Sequence, residues 1–276
     1  MDAFSHSYAE ARARFVEATT AARATLTTVA HPRVGPDGGV LSADIAWVGP
    51  EHASKVLVMI SGTHGIEGFF GSAVEHEWLQ RREFDALPPD IAVMLIHAIN
   101  PYGFAWERRT NEDNVDVNRN WIDFESTLPP NPEYDELAND LCPTYWDLKT
   151  QERTGAALGA RIAAMGVAAF QQAVSGGQWT HPKGLFYGGN RPSWSRSVLT
   201  ETVKAKLPSA RQVVILDFHT GLGPFGYVDP IVEFRSNDAT FLRTKEWIGA
   251  SITSLVGGGS VSSEVVGSAH DVAPAV

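Results

Sequence analysis

Short, dense apolar runs separated by polar, turn-rich stretches dominate the chain. Val56-Leu57-Val58-Met59-Ile60, Ile91 to Ile96 and Val213-Val214-Ile215-Leu216 are each too short for a buried helix and read as buried strands. Leu41 to Val48 alternates apolar and polar positions as a strand with one face in the core does. Helical spacing predicts helices from about Ser7 to Ala22, through Val74, Trp78 and Leu79 up to the Leu87-Pro88-Pro89 break, over Ala-rich Gly155 to Val174, over Ser193 to Leu207 and over Phe241 to Leu255. His31 to Gly39, with its Pro and Gly residues, reads as a loop. From Asn100 to Tyr145 no periodicity survives, and a connection that long in a compact domain is usually functional. Strands alternating with helices predict an α/β fold with a mixed, largely parallel central sheet and helices on both faces. The 276 residues suffice for one large domain spanning 1–276.

Charge narrows the partners. With 22 Lys and Arg against 32 Asp and Glu the formal charge is −10, and no basic cluster exceeds a pair, which speaks against a nucleic-acid or anionic-membrane surface. Cys142 is the only cysteine, so any metal must be held by His and carboxylate and no intrachain disulfide forms. The amino-terminal stretch reads as an amphipathic helix rather than a signal peptide, and no window approaches about 18 consecutive apolar residues. A cytoplasmic protein is the expectation, and the sequence allows a homo-oligomer.

The chemistry gathers where two apolar runs end. Ser61-Gly62-Thr63-His64-Gly65-Ile66-Glu67-Gly68 follows the first run, and Asp217-Phe218-His219-Thr220-Gly221 follows the last. If these strands are neighbours in a parallel sheet, two imidazoles and a carboxylate meet at its carboxyl edge, where open α/β folds bind ligands. Two His and one Glu are the ligand set of a catalytic zinc site, with a fourth position left for water. Asp217, two residues before His219, would orient that imidazole or cap a neighbouring helix. Arg109, Asn118 and Arg119, in the long loop after Asn100-Pro101, are suited to a carboxylate and an oxyanion, or else form a solvated charge cluster.

His64-x-x-Glu67, Asn100-Pro101, Arg109 through Val115-Asp116-Val117-Asn118-Arg119-Asn120 and the late His219 resemble the zinc carboxypeptidase family, in that order. Together with Phe186 to Ser195 and Leu216 to Gly223, they resemble a bacterial branch of uncharacterised carboxypeptidase-like proteins. The resemblance implies zinc as cofactor, held by His64, Glu67 and His219. It implies Arg109 as the group that polarises the scissile carbonyl, and Asn118 with Arg119 as the grip on a substrate carboxylate. Tyr187, Trp194 and Tyr227 are candidate pocket walls. The implied substrate is a small peptide, or an N-acyl amino acid as in the succinylglutamate desuccinylase and aspartoacylase branch of the same fold; a zinc-binding protein without turnover is the third alternative. The family carries a glutamate base on a late strand, whereas only 57 residues follow His219 and Glu264 is the one carboxylate in a strand-like context. With its Gly257-Gly258-Gly259 tail, the sequence therefore reads as a domain lacking its last elements, with zinc binding intact and turnover low.

Overall fold

The computed structural model describes residues 3–221, 223–249, 251–256, 260, 262 and 264–269. The chain gathers into two compact units, one of residues 3–128, 188–220 and 267–269, the other of the described residues in 129–187 and 221–266.

The first unit is built on a five-stranded sheet of β1 (Thr25–Val34), β2 (Val40–Val48), β3 (Lys55–Ile60), β4 (Ile91–His97) and β5 (Gln212–Asp217), in the order β1-β2-β4-β3-β5. β3 runs parallel to β4 on one side and to β5 on the other, while β1/β2 and β2/β4 are antiparallel, so the sheet is mixed. The strands are covered on both faces because their side chains alternate. Ala43, Ile45, Trp47, Val56, Val58, Ile60, Ala92, Met94 and Ile96 point to one face and pack on Val198, Leu199 and Val203 of a helix near the end of this unit. Ala46, Val48, Met59, Val93 and Leu95 point to the other, against Phe15 and Ala18 of α1 (Tyr8–Ala21) and Leu79 of α2 (Gly68–Gln80). Ser7 caps α1, its side chain accepting from the Glu10 N–H. A short α3 (Pro101–Ala105) follows β4, capped by Asn100 with Pro at its first position.

The second unit holds α4 (Pro132–Leu141), α5 (Leu148–Met165) and α6 (Val167–Ser175). The helix covering the first unit's sheet is α7 (Trp194–Lys206). The second unit also has a two-stranded parallel sheet of β6 (Ile231–Val232) and β7 (Thr253–Ser254), with α8 (Ala239–Ile248) between them in sequence.

Four expectations need correction. The stretch expected as a loop from His31 enters β1, which holds Pro32 because it is an edge strand, where a missing N–H costs no ladder bond; the register shifts between Ala30 and Val34. The Ala-rich helix is two helices, α5 and α6, meeting at 118° around Gly166, whose φ is +84°. The helix expected to reach Leu255 stops at Gly249, with φ +107°, and the chain then enters β7. The long aperiodic loop holds α3 and α4. The glycine tail at Gly257-Gly258-Gly259 lies outside the described residues. Among the described residues no single helix is long and apolar enough to cross a membrane.

Candidate metal centre

The parallel register aligns Ile60 of β3 with Ile96 of β4 and Asp217 of β5, so all three strands deliver their next residues to one edge. After Ile60 the chain turns through Gly62, at φ +72°, into a 3-10 turn Gly65–Glu67 that runs into α2. The turn is pressed against α3. A Cβ on Gly65 would fall into the Gly103–Phe104 peptide, and one on Gly68 would stand 2.6 Å from the Phe104 ring. These glycines let the turn sit low enough to present His64 and Glu67 on one side.

There they meet His219. His64 Nδ1 lies 3.1 Å from Glu67 Oε1 and 3.1 Å from His219 Nδ1, and His219 Nδ1 lies 3.0 Å from Glu67 Oε2. Behind each imidazole stands a carboxylate. His64 Nε2 is 3.1 Å from Asp116 Oδ1, and His219 Nε2 is 3.0 Å from Asp217 Oδ2. Asp217 is fixed in turn by the Thr63 hydroxyl at 2.8 Å, and Glu67 Oε2 accepts the Thr220 N–H at 3.0 Å. His64, Glu67 and Asp116 are buried and His219 is half-buried.

Ionised carboxylates only accept, so the outer Nε2 atoms carry hydrogens toward Asp116 and Asp217. The inner Nδ1 atoms then turn lone pairs toward each other and toward the Glu67 oxygens, an arrangement that calls for a cation at its centre. The spacing suits one: ligands roughly 2.0–2.1 Å from a tetrahedral zinc stand roughly 3.3 Å apart. Without a metal a proton serves. Burial alone would lower the His219 pKa, but the charge and hydrogen bond of Asp217, with the Glu67 hydrogen bond, push it up to about 10. Burial would raise Glu67, yet hydrogen bonds from His219 and His64 hold its carboxyl well below the usual range. Asp116 likewise stays ionised against its burial because the charges of His64, Arg109 and Arg119 favour the anion. A metal at this point would displace protons.

The other expected site residues fall around this cluster. Arg109 donates from Nε to Asp116 Oδ2 at 2.9 Å and brings Nη1 to 3.5 Å from Glu67 Oε1. Asn118 gives Oδ1 to the Ala269 N–H at 2.8 Å, which fixes the amide orientation and leaves Nδ2 3.4 Å from His219 Nε2. Arg119 is buried, with Nη1 donating to the Asn118 carbonyl at 2.9 Å. Trp194 packs against the core cluster and meets the His31 ring edge-on. Tyr187, Tyr227 and Glu264 belong to the second unit; Tyr187 is buried and the other two are exposed. Asp116 has no role in the sequence reading. It stands in a run with Glu112 and Asp113, and nothing in linear order tells which carboxylate turns inward.

The fold and this cluster define the class: a carboxypeptidase-like α/β fold with a His-Glu-His cluster at the carboxyl edge of its sheet. Carboxypeptidase A from Helicoverpa armigera superposes with a TM-score of 0.51 at 13% identity, covering 98% of this chain and 62% of that one, a likeness of fold alone. Bovine thrombin-activatable fibrinolysis inhibitor, in complex with tick carboxypeptidase inhibitor, matches at 11% identity and TM-score 0.43, over 76% of this chain and 59% of that one. A putative succinylglutamate desuccinylase/aspartoacylase from Shewanella frigidimarina matches at 19% identity and TM-score 0.35, over 72% and 46%. The chain thus spans about half the length of these last two proteins. The chain belongs to the family described as "Protein of unknown function (DUF2817)", whose model matches residues 4–275. No curated protein matches it.

Proposed function

We propose that the protein is a zinc-dependent hydrolase acting on a peptide or amide bond next to a free carboxylate. One observation carries this reading: the two inner Nδ1 atoms lie 3.1 Å apart and each stands 3.0–3.1 Å from one of the two Glu67 oxygens, while the far nitrogen of each imidazole rests on a carboxylate. His64, Glu67 and His219 would hold the ion, and three protein ligands leave a fourth position for water or substrate. The chemistry such an ion supplies is Lewis acidity, which polarises a carbonyl and acidifies water. Arg109, aimed by Asp116 beside Glu67, would stabilise the charge that develops on the carbonyl oxygen. Asn118 and Arg119 would orient the substrate carboxylate, which a planar guanidinium grips bidentately where Lys cannot. Glu264 is the one carboxylate after His219 in a sequence context resembling a strand, and a general base contributes about 10²–10⁴-fold in rate.

The test is hydrolysis by the zinc-loaded chain of two panels, peptides with free or amidated carboxyl termini and N-acyl amino acids. Turnover is expected on free-carboxylate substrates, lost on chelation, with Arg109→Ala lowering kcat by about 10²–10³. Arg119→Lys should weaken use of the free acids far more than of the amides. A zinc-loaded chain no faster than the chelated one on both panels would overturn the reading. Activity confined to the N-acyl panel would make the protein a deacylase.

A further inference from the structure

Glu75 lies on α2 beneath the metal-ligand cluster and has no part in the chemistry above. It is fully buried, at 0% exposure. Its Oε2 stands 2.9 Å from Ser61 Oγ, and its Oε1 has no hydrogen-bond partner among the described residues. Ser61 is the residue after β3, and its Oγ also accepts the Ala98 N–H at 3.2 Å and lies 3.5 Å from the Ile96 carbonyl oxygen. Gly71, one turn earlier, lets the helix close on the strand end; a Cβ there would stand 2.7 Å from the Ser61 Cβ.

Among the described residues no cation offsets a charge at this place. Burial raises the Glu75 carboxyl well above its ordinary range against the opposing Ser61 hydrogen bond, and the charge of Asp217 adds to the rise. The titratable groups on the other packed elements act elsewhere. His97 of β4 lies 2.9 Å from Ser72 Oγ, Arg14 and Glu17 of α1 act on His76, and none of these acts on Glu75. An ionised carboxylate without a partner cation and sealed from water is among the costliest arrangements a protein interior can hold.

We propose that Glu75 stands in the folded protein as a neutral carboxylic acid, and that it is a positioning residue for the turn that carries His64, because it holds Ser61 three residues before that ligand. The acid ties α2 to the end of β3 through Ser61 without placing an unpartnered charge in the interior. The hydrogens agree with this state: the acid donates from Oε2 to Ser61 Oγ, the Ser61 hydroxyl turns to Ile96, and Ser61 still accepts from Ala98. The positioning half rests on the zinc reading, whereas the protonation state does not.

Infrared spectra of the full chain at pH 7.5 test the first half. The carbonyl stretch of an un-ionised carboxylic acid should be present in the wild type and absent in Glu75→Gln; a wild type without that band overturns the proposal. Titration with zinc alone tests the second. Glu75→Gln, a neutral isostere, should keep the zinc Kd within about threefold, whereas Glu75→Ala, which cannot hold Ser61, should raise it about tenfold. A Gln variant as weak as the Ala variant, or an Ala variant with wild-type affinity, overturns the positioning role. Where Glu75→Ala does not fold, Ser61→Ala carries the same comparison. A wild-type chain that takes up no zinc would sink the hydrolase reading and leave the infrared band to decide on Glu75.

Discussion

Asp116 accepts from both His64 and Arg109, and its Oδ1 also takes the Asn118 N–H at 2.9 Å, so one buried carboxylate aims a proposed ligand and the proposed oxyanion donor together. Asp116→Asn keeps the shape but loses the anion. The amide would present a donor or a weaker acceptor to His64, free the imidazole to change tautomer, and loosen Arg109. Zinc affinity in competition with a chelator should fall about 10–100-fold, the usual effect of losing a group that orients a metal ligand. Unchanged affinity would show that His64 needs no such partner. The ligand residues are legible in the sequence because each follows an apolar run that ends in a Gly-bearing turn. Asp217 is legible as a neighbour two positions from His219. Asp116 is not, because its role depends on a fold of the 109–120 loop that no periodicity announces.

At the level of elements, the site depends on two close approaches rather than on the strands themselves. The Gly65–Glu67 turn fits against α3 only without a side chain, since a Cβ on Gly65 would collide with the Gly103–Phe104 backbone. Gly65→Ala should therefore destabilise the fold by about 3 kcal/mol, at the upper end of what overpacking costs, because backbone rather than a flexible side chain must move. Chemical denaturation measures this, and a loss below about 1 kcal/mol would mean that α3 yields easily. Strands β2, β3, β4 and β5 are legible because each is buried and apolar or alternating. β1 escapes the sequence because ten residues at an open edge need no apolar pattern, and its Pro32 and neighbouring glycines imitate a loop. The breaks at Gly166 and Gly249 escape it because a positive φ at a glycine leaves no mark on the helical periodicity of its neighbours.

Across the whole molecule the polar layer at the carboxyl end of the sheet links stability to pH. His97 is fully buried between Phe15, whose ring stacks on it at 4.6 Å, and Ser72. Burial, only partly offset by the charge of Asp44 and reinforced by that of Arg12, pushes its pKa down from 6.5 to about 4. The unfolded chain therefore binds a proton at His97 between about pH 6.5 and 4 that the folded chain refuses, so stability is full above 6.5 and falls as the pH drops through this window. Between pH 7 and pH 5 the loss from this residue should be on the order of 2 kcal/mol. Urea midpoints at the two pH values should differ less in His97→Gln than in the wild type, and equal differences would remove His97 from the account. The α/β class and the meeting of two strand ends are legible at this scale because the parallel register follows from buried runs of equal length. The gathering of the chain into two units is not, since the second unit is assembled from the described residues of segments 129–187 and 221–266, which are separated in sequence. The central claim, that His64, Glu67 and His219 form a metal centre, is met most directly by elemental analysis of the purified chain equilibrated with zinc and freed of excess ion. One zinc per chain is predicted in the wild type, with well under one in folded His64→Ala and His219→Ala variants; full zinc content in both variants, or none in the wild type, would contradict it.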